Sequence, residues 1–171
     1  MNRLSGRMQR VQRRIYFDNS STTKIHPEVL KSYEGLLETY YVNSESLYDE
    51  GSQISSMMEK ARGAIAGLLG VQSSDIIFTS GSSEANSSAI KGCALAQREK
   101  KHIITTNVEH SSILNACQQL EQYFGYHITY LPVDASGKIR IEDLKAALDE
   151  DTSVVSIMYV NNESGAVNPI S

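Results

Sequence analysis

The chain has 171 residues, of which 40% are apolar and 21% charged, a composition typical of one globular domain with a hydrophobic core. The formal net charge of −4 argues against a nucleic-acid-binding surface, and no apolar run is long enough to span a bilayer. Cys93 and Cys117 are the only cysteines, and their spacing indicates neither a disulfide framework nor a zinc site, so we predict no metal site and a reducing, cytoplasmic compartment.

The first fourteen residues differ in composition from the rest, with five arginines and no acidic residue. A transit peptide or a basic interaction tail can have this composition, but a disordered extension is the simpler interpretation. We therefore predict a basic disordered leader over residues 1–14 and one domain over residues 15–171.

Two helices are predicted before any regular alternation begins. An apolar run at residues 15–17 ends in turn-forming residues, and Pro27 then begins a helix whose apolar positions continue to Tyr40. Residues 43–51 are polar and predict a loop. A second helix is predicted over residues 52–69, with its apolar residues on one buried side and Gly70 ending it.

From residue 75 onward, strand and helix patterns alternate. The predicted strands are 75–79, 102–106, 127–133 and 153–160, and the predicted helices are 84–98, 111–123 and 141–148. This alternation predicts an α/β fold in layers around a mostly parallel sheet, with the two leading helices outside it. Ligands of such sheets bind beyond the carboxyl ends of the strands, where the polar segments 80–83, 107–112 and 161–165 fall.

The first of these segments can bind an anion. Gly81, Ser82 and Ser83 lie between a strand and a helix, where free backbone N–H groups and the helix dipole attract phosphate or carboxylate. Ordinary N-capping by serine is the alternative interpretation.

The other two segments contain an imidazole and a carboxamide. His110 lies between a strand end and a helix start, where it can stack on a planar cofactor or move a proton, or simply cap the helix. Asn162 offers a donor and an acceptor at a strand end, although an Asn-rich turn explains it as well. His26, His102 and His127 are interpreted as structural, because the latter two begin strands with no polar cluster beside them in the sequence.

Four segments, in the same order along the chain, resemble those of the cysteine desulfurases of the class-V aminotransferase fold, which depend on pyridoxal phosphate. YFDNSSTT at residues 16–23 resembles Y(L/F)DN(A/S)ATT, and IIFTSGSSEANSSAIKG at residues 76–92 resembles IIFTSGxTExNNxAIKG. TTNVEHSSIL at residues 105–114 is similar to a segment with the pattern EHxAVL. VSIMYVNNESGAVNPI at residues 155–170 is similar to VSxMxVNNExGxxQPI.

The resemblance implies a fold, a reaction and residue roles. The fold is the three-layer large domain of fold type I, incomplete at the C-terminus and homodimeric in relatives. The reaction takes sulfur from L-cysteine, leaves alanine and hands a persulfide to an acceptor protein. Ser82 and Ser83 fall on the phosphate-binding pair, His110 on the residue that stacks over the pyridine ring and moves protons, and Asn162 on the ligand of the phenolic oxygen or substrate.

Some features depart from the pattern. Ser83 replaces the usual threonine, and residues 42–48 lack the Gly, Pro and His of GNPSS(L)H near the substrate entry. The family's cofactor-linked lysine, ring-pairing aspartate, sulfur-accepting cysteine and substrate-binding arginine lie beyond Ser171, so we expect the chain alone to be inactive. A selenocysteine lyase, an aminotransferase or a non-catalytic interaction module remain alternatives.

The remaining expectations concern the two cysteines and the assembly. Cys93 and Cys117 fall within predicted helices, where a buried hydrophobic role is expected for both. The last predicted strand, residues 153–160, is apolar and uncharged, and in an incomplete sheet its edge invites pairing with another chain. We therefore expect a homo-oligomer rather than a stable monomer.

Overall fold

A computed structural model describes residues 15–169, so the predicted leader over residues 1–14 lies outside the described residues. The helices and strands of the described part are α1 (Pro27–Thr39), α2 (Asp49–Leu69), α3 (Ser82–Ala96), β1 (His102–Thr106), α4 (Ser111–Phe124), β2 (His127–Leu131), α5 (Ile141–Ala147) and β3 (Thr152–Val155). None of the described helices is long and apolar enough to cross a membrane.

The three strands form one parallel sheet in the order β2-β1-β3. Successive side chains of the central strand β1 point to opposite faces. Ile103 packs with buried residues of α3 and α4, whereas Ile104 packs with Leu131 and, towards α5, with Leu144. Helices therefore cover both faces of the sheet, and the predicted α/β layered fold is confirmed.

The two leading helices form as predicted, but they bury little of their apolar surface against the described residues. Within residues 15–169, helix α1 has no buried residue, and in α2 only Gly51 and Ala66 are buried. Leu68 of α2 is 88% exposed. The prediction of a buried side on α2 was wrong for this part of the chain, because helical spacing creates an apolar stripe but cannot supply the element that covers it.

The segment 43–51 was predicted to be a loop, but its last residues are helical. Helix α2 begins at Asp49, and Asp49 and Glu50 place two negative charges in the first turn, next to the positive end of the helix dipole. Gly51 is buried against the backbone of Ser46, so a close contact with the preceding loop fixes the start of the helix.

Residues 75–79 do not form the predicted strand. Ser73–Asp75 is a 3-10 turn, and the extended residues after it pair with no strand among residues 15–169. The guanidinium of Arg62 in α2 donates to the carbonyl oxygen of Ile76 and lies 4.7 Å from the ring centroid of Phe78. The segment is therefore attached to α2 rather than to the sheet.

Two strands are shorter at their carboxyl ends than predicted. Strand β2 ends at Leu131 because Pro132 has no N–H to donate to a neighbouring strand. Strand β3 ends at Val155, and the chain after it turns towards β1's end, where the N–H of Met158 donates to a Glu109 carboxylate oxygen at 2.7 Å. Both strands therefore end close to the polar segments that line the carboxyl edge of the sheet.

Candidate active site

A cavity of about 670 Å³ lies at the carboxyl end of the sheet. Residues from four separate segments line it: Asp18, Ser20, Ser21, Ser82, Asn86, His110, Met158, Val160, Asn162 and Glu163. Ser82, His110 and Asn162 are among the residues predicted from the sequence as site residues. The fold thus brings at least one residue of each polar segment to a common cavity.

The other two predicted residues lie beside this cavity rather than in its lining. Gly81 is the N-cap of α3. Ser83 lines a separate groove between α3 and α4, together with Lys91 and Gln119, whose side chains are joined by a 2.6 Å hydrogen bond. The cavity therefore receives one hydroxyl of the serine pair, and the second is directed towards the groove.

The beginning of α3 offers backbone donors. Among the described residues, no acceptor binds the N–H of Ser82 or of Ser83, as expected for the first turn of a helix. The carboxylate of Glu84 instead accepts from the hydroxyl of Ser80 at 2.6 Å and from its N–H at 2.7 Å. These two bonds lower the pKa of Glu84, the hydroxyl bond most. The turn therefore has both free donors and a nearby negative charge.

His110 caps a helix and also lines the cavity. It is the N-cap of α4, where its Nδ1 accepts from the backbone N–H of Ser112 at 3.2 Å and lies 2.8 Å from the Ser112 hydroxyl. Its Nε2 has no partner in the described part of the chain, and the exposed ring lines the cavity. One nitrogen thus caps a helix while the other remains free for a ligand.

The two adjacent asparagines have different environments. Asn161 is buried, and its side chain donates to the carbonyl of Val108 at 2.9 Å and accepts from the N–H groups of Glu163 and Ser164 at 3.0 and 2.8 Å. Asn162 is exposed and lines the cavity. Asn161 therefore builds the loop that presents Asn162, a division of roles that adjacent identical residues cannot reveal in a sequence.

Two features of the site were not predicted from the sequence. Glu109 is buried and accepts from the Thr106 hydroxyl at 3.0 Å and from the Met158 N–H, so it ties the end of β1 to the chain after β3. The N-terminal turn also lines the cavity through Asp18 and two serines, and the Tyr16 hydroxyl closes this turn by donating to the Asp18 carbonyl at 2.9 Å. In the sequence, the run of hydroxyl-bearing residues after Tyr16 is the feature that could have indicated this part of the site.

The donors of the cavity fit a phosphorylated, planar pyridine in part. The α3 N–H groups and the Ser82 hydroxyl suit a phosphate, an imidazole face suits an aromatic ring, and the Asn162 carboxamide suits a ring oxygen. Asp18 and Glu163 are acidic, and no lysine or arginine is among the described residues of the lining. The lining fits non-covalent binding of such a group but supplies no amine to bond with it.

Comparison with other proteins identifies the family. The family model described as Aminotransferase class-V matches residues 15–171. The chain belongs to this family. It is 49% identical over 156 residues to cysteine desulfurase 2 of Trichormus variabilis and 45% identical over 163 residues to the cysteine desulfurase of Homo sapiens.

The first alignment covers 91% of this chain and 39% of the relative, and the second covers 94% and 35%. This member of the class-V aminotransferase family therefore spans about two fifths of the length of the curated relatives it matches. A solved NifS-like protein superposes with a TM-score of 0.87 at 38% identity, over 91% of this chain and 43% of that one. A structure described as SspA in complex with cysteine gives 0.84 at 38% identity, over 91% and 45%. The predicted resemblance to cysteine desulfurases is confirmed.

The two cysteines of this class-V aminotransferase chain differ in environment. Cys117 is fully buried in the α3–α4 core, as predicted, and burial raises the pKa of its thiol to about 11, with smaller contributions from the charges of Glu109 and Glu121. Cys93 is exposed, so the prediction that it is buried was wrong. Ile90 and Ala94 mark the buried side of α3, and Cys93 falls outside it.

A second polar cluster in the class-V domain lies at the opposite, amino end of the sheet. Ligand atoms of His102, His127 and Asp149 fall within 4.8 Å of one another, so the fold gives the two histidines a polar cluster that their sequence neighbours do not provide. His102 Nδ1 lies 2.9 Å from Thr152 Oγ1, and Nε2 lies 2.8 Å from Thr129 Oγ1. Because both nitrogens already have partners, we assign His102 a structural role.

Proposed function

We propose that this chain forms part of the cofactor-binding region of a cysteine desulfurase that takes sulfur from L-cysteine, leaves alanine and passes a persulfide to an acceptor protein. The observation that supports this most is the convergence of Ser82, His110 and Asn162 on one cavity. The relatives named above are cysteine desulfurases, and the solved neighbour SspA is in complex with cysteine.

The proposed cofactor is pyridoxal phosphate, which supplies an electron sink for reactions at the amino acid. The Ser82 hydroxyl and the N–H groups of Ser82 and Ser83 would hold its phosphate, with Gly81 allowing close approach of the backbone. His110 would stack on the ring as a catalytic residue, and Asn162 would orient a ring or substrate oxygen. Without a cationic side chain in the described lining, the helix N-terminus is the main positive group for the phosphate.

The sulfur-releasing activity is proposed for a longer protein rather than for these residues alone. No lysine lines the described cavity, so the chain has no amine there to bond with the cofactor aldehyde. The same observation favours a second candidate function, a binding module without catalysis. Sulfide release from L-cysteine with added pyridoxal phosphate should equal the blank without protein, and heat-sensitive turnover above that blank would contradict this.

The binding site can be tested by titrating pyridoxal phosphate into the full chain in a calorimeter. Loss of one hydrogen-bonding side chain, in Ser82→Ala or Asn162→Ala, should weaken binding roughly twofold to tenfold. Ser88→Ala is the matched control, because this exposed serine of α3 is not among the described lining residues. Equal affinities in all four chains would reject the proposed site.

Ser83→Ala tests whether the Ser83 hydroxyl serves the groove between α3 and α4 or contacts the ligand. If the Ser83 hydroxyl serves the groove between α3 and α4, its removal should change pyridoxal phosphate affinity less than removal of the Ser82 hydroxyl. A larger loss in Ser83→Ala would mean that the Ser83 hydroxyl turns from the groove towards the ligand when it binds.

We also propose that the protein assembles as a homo-oligomer in the cytoplasm. Strand β3 is at an edge of the described sheet, and Val155, Tyr159 and Val160 are exposed at or beyond its end. Apolar surface beside an unpaired strand edge favours association. Light scattering over a concentration series should show a mass above that of the monomer, and a monodisperse monomer at high concentration would contradict the proposal.

A further inference from the structure

The ring of His110 is held by two contacts that both come from Ser112. The backbone N–H of Ser112 donates to Nδ1 at 3.2 Å, and the Ser112 hydroxyl oxygen lies 2.8 Å from the same nitrogen. A backbone N–H can only donate, so Nδ1 has to present a lone pair. The neutral ring therefore carries its hydrogen on Nε2, the nitrogen without a described partner.

Asn86 extends this arrangement from the neighbouring helix α3. Its Nδ2 lies 2.8 Å from the Ser112 hydroxyl oxygen. Because Nδ1 of His110 is an acceptor, the Ser112 hydroxyl directs its hydrogen to the ring and must accept from the Asn86 amide. The direction of the whole chain of bonds, from Asn86 through Ser112 to His110, thus follows from the backbone bond and not from the choice of amide orientation.

We propose that Asn86 and Ser112 are positioning residues that hold His110 in its Nε2–H form, so that the ring presents a hydrogen-bond donor, and not a base, to the cavity. The consequence for catalysis rests on the proposed function, since it assigns the state in which His110 meets a bound ligand. A ring in this form has no lone pair on Nε2 to accept a proton. Proton uptake at the cavity therefore requires the other tautomer, which breaks the bond from the Ser112 backbone N–H and reverses the bond with the Ser112 hydroxyl.

Helix capping alone does not account for this arrangement. The N-cap needs only the bond from the Ser112 N–H, whereas the Ser112 hydroxyl adds a second bond to the ring and the Asn86 amide adds a bond that crosses from α3 to α4. Both side chains are half-buried, where water competes less for their hydrogen bonds. The pattern EHxAVL has alanine at the position of Ser112, so the Ser112→Ala chain is expected to fold.

The tautomer can be read directly by nuclear magnetic resonance on the full chain labelled with ¹⁵N-histidine, without added ligand. At pH 8, above the ordinary pKa of an imidazole, long-range ¹H–¹⁵N correlations distinguish a nitrogen with hydrogen from one with a lone pair. The chain has four histidines, and a His110→Gln chain assigns the signals of His110. We expect hydrogen on Nε2 and a lone pair on Nδ1.

Variants test whether Asn86 and Ser112 set this state. Ser112→Ala and Asn86→Ala should each raise the ratio of the Nδ1–H to the Nε2–H tautomer roughly twofold to tenfold, the effect of losing one hydrogen bond. Ser112→Thr keeps the hydroxyl and should keep the ratio of the unmodified chain. Ser111→Ala, at an exposed neighbouring serine outside the bond chain, is the control and should leave the ratio unchanged.

The proposal is overturned if the unmodified chain carries its hydrogen mainly on Nδ1, or if neither alanine variant changes the ratio. Should Ser112→Ala fail to fold, Asn86→Ala and Ser112→Thr still decide the question. Because the measurement needs no cofactor, its failure would leave the pyridoxal phosphate titration intact, and a failed titration would not alter the tautomer result.

Discussion

The imidazole rings of His102 and His127 stack in parallel, with centroids 4.2 Å apart and planes 5° from each other. These residues are direct partners at the start of β1 and β2, so the sheet register brings the rings together. His102 is only 2% exposed, and its two nitrogens contact Thr129 of β2 and Thr152 of β3. One buried side chain thereby joins all three strands.

This geometry predicts unequal roles for the two histidines in stability. His102→Ala should lower the free energy of unfolding by about 2–4 kcal/mol, since it opens a cavity and leaves the half-buried Thr129 hydroxyl without its described partner. His127→Ala removes an exposed ring and should cost less than about 1 kcal/mol. Urea unfolding followed by circular dichroism measures both, and equal losses would show that the buried bonds of His102 contribute little.

A pH dependence follows from Asp149, the acidic member of the same cluster. The Thr152 hydroxyl, 2.9 Å away, is the main cause that lowers the pKa of Asp149 below its ordinary value of 3.8, and the hydrogen bond to His102 adds to it. A carboxyl group whose pKa is lower in the folded state stabilises the fold above its unfolded pKa, and this contribution is lost as the pH falls through the folded value.

Asp149→Asn should therefore destabilise the chain near neutral pH, and the difference from the unmodified chain should shrink as the pH falls below about 3.8. Unfolding by urea at a series of pH values provides the measurement. Glu150→Gln, at the exposed neighbouring position, is the control and should show no comparable convergence. A constant difference across the series would mean that the Asp149 charge is not the cause.

Two glycines of α2 should respond in opposite directions to alanine. A Cβ at Gly51 would overlap the carbonyl oxygen of Ser46 and lie 3.0 Å from that of Asn43, so Gly51→Ala should destabilise the chain by about 1–3 kcal/mol. At Gly67 a Cβ meets nothing within 4 Å in the described part of the chain, and alanine should stabilise the helix by roughly 0.5–1 kcal/mol. Thermal or urea unfolding of the two variants would separate these effects, and two changes of the same sign would contradict them.

The two thiols should react at very different rates with a disulfide reagent at pH 8. Cys93 is exposed and should react in the folded chain, whereas Cys117 is buried with a thiol pKa of about 11 and should react only after unfolding. The Cys93→Ser chain should thus show no rapid phase and the Cys117→Ser chain an unchanged one. A rapid phase that survives in Cys93→Ser would place Cys117 within reach of solvent.

The sequence predicts those elements whose stability is local or whose partners lie nearby. Strand β1 formed with the predicted bounds, 102–106, because its residues suit a strand buried on both faces and two later strands pair with it. The segment 75–79 has a similar composition, yet it pairs with no described strand. The amino-acid composition of a segment shows that it can form a strand. Whether it pairs depends on a neighbouring strand, which the rest of the fold has to supply.

The candidate site was predictable where a residue type limits its possible roles. A glycine and serines before a helix, and a histidine at a strand end, pointed to Ser82 and His110. The structural role of Asn161 was not predictable, because it depends on bonds to Val108, more than fifty positions earlier in the sequence. The approach of Asp18 to the cavity likewise depends on tertiary packing rather than on local pattern.

The central position of β1 also determines when the sheet can form during synthesis. All five residues of β1 are buried in the finished fold, and both strands that pair with it come later, ending at Leu131 and Val155. At about 5–20 residues per second, β1 leaves the ribosome roughly one to five seconds before the end of β2 does. During that interval the two adjacent isoleucines of β1 have no strand to pair with, and they are open to chaperones and to aggregation.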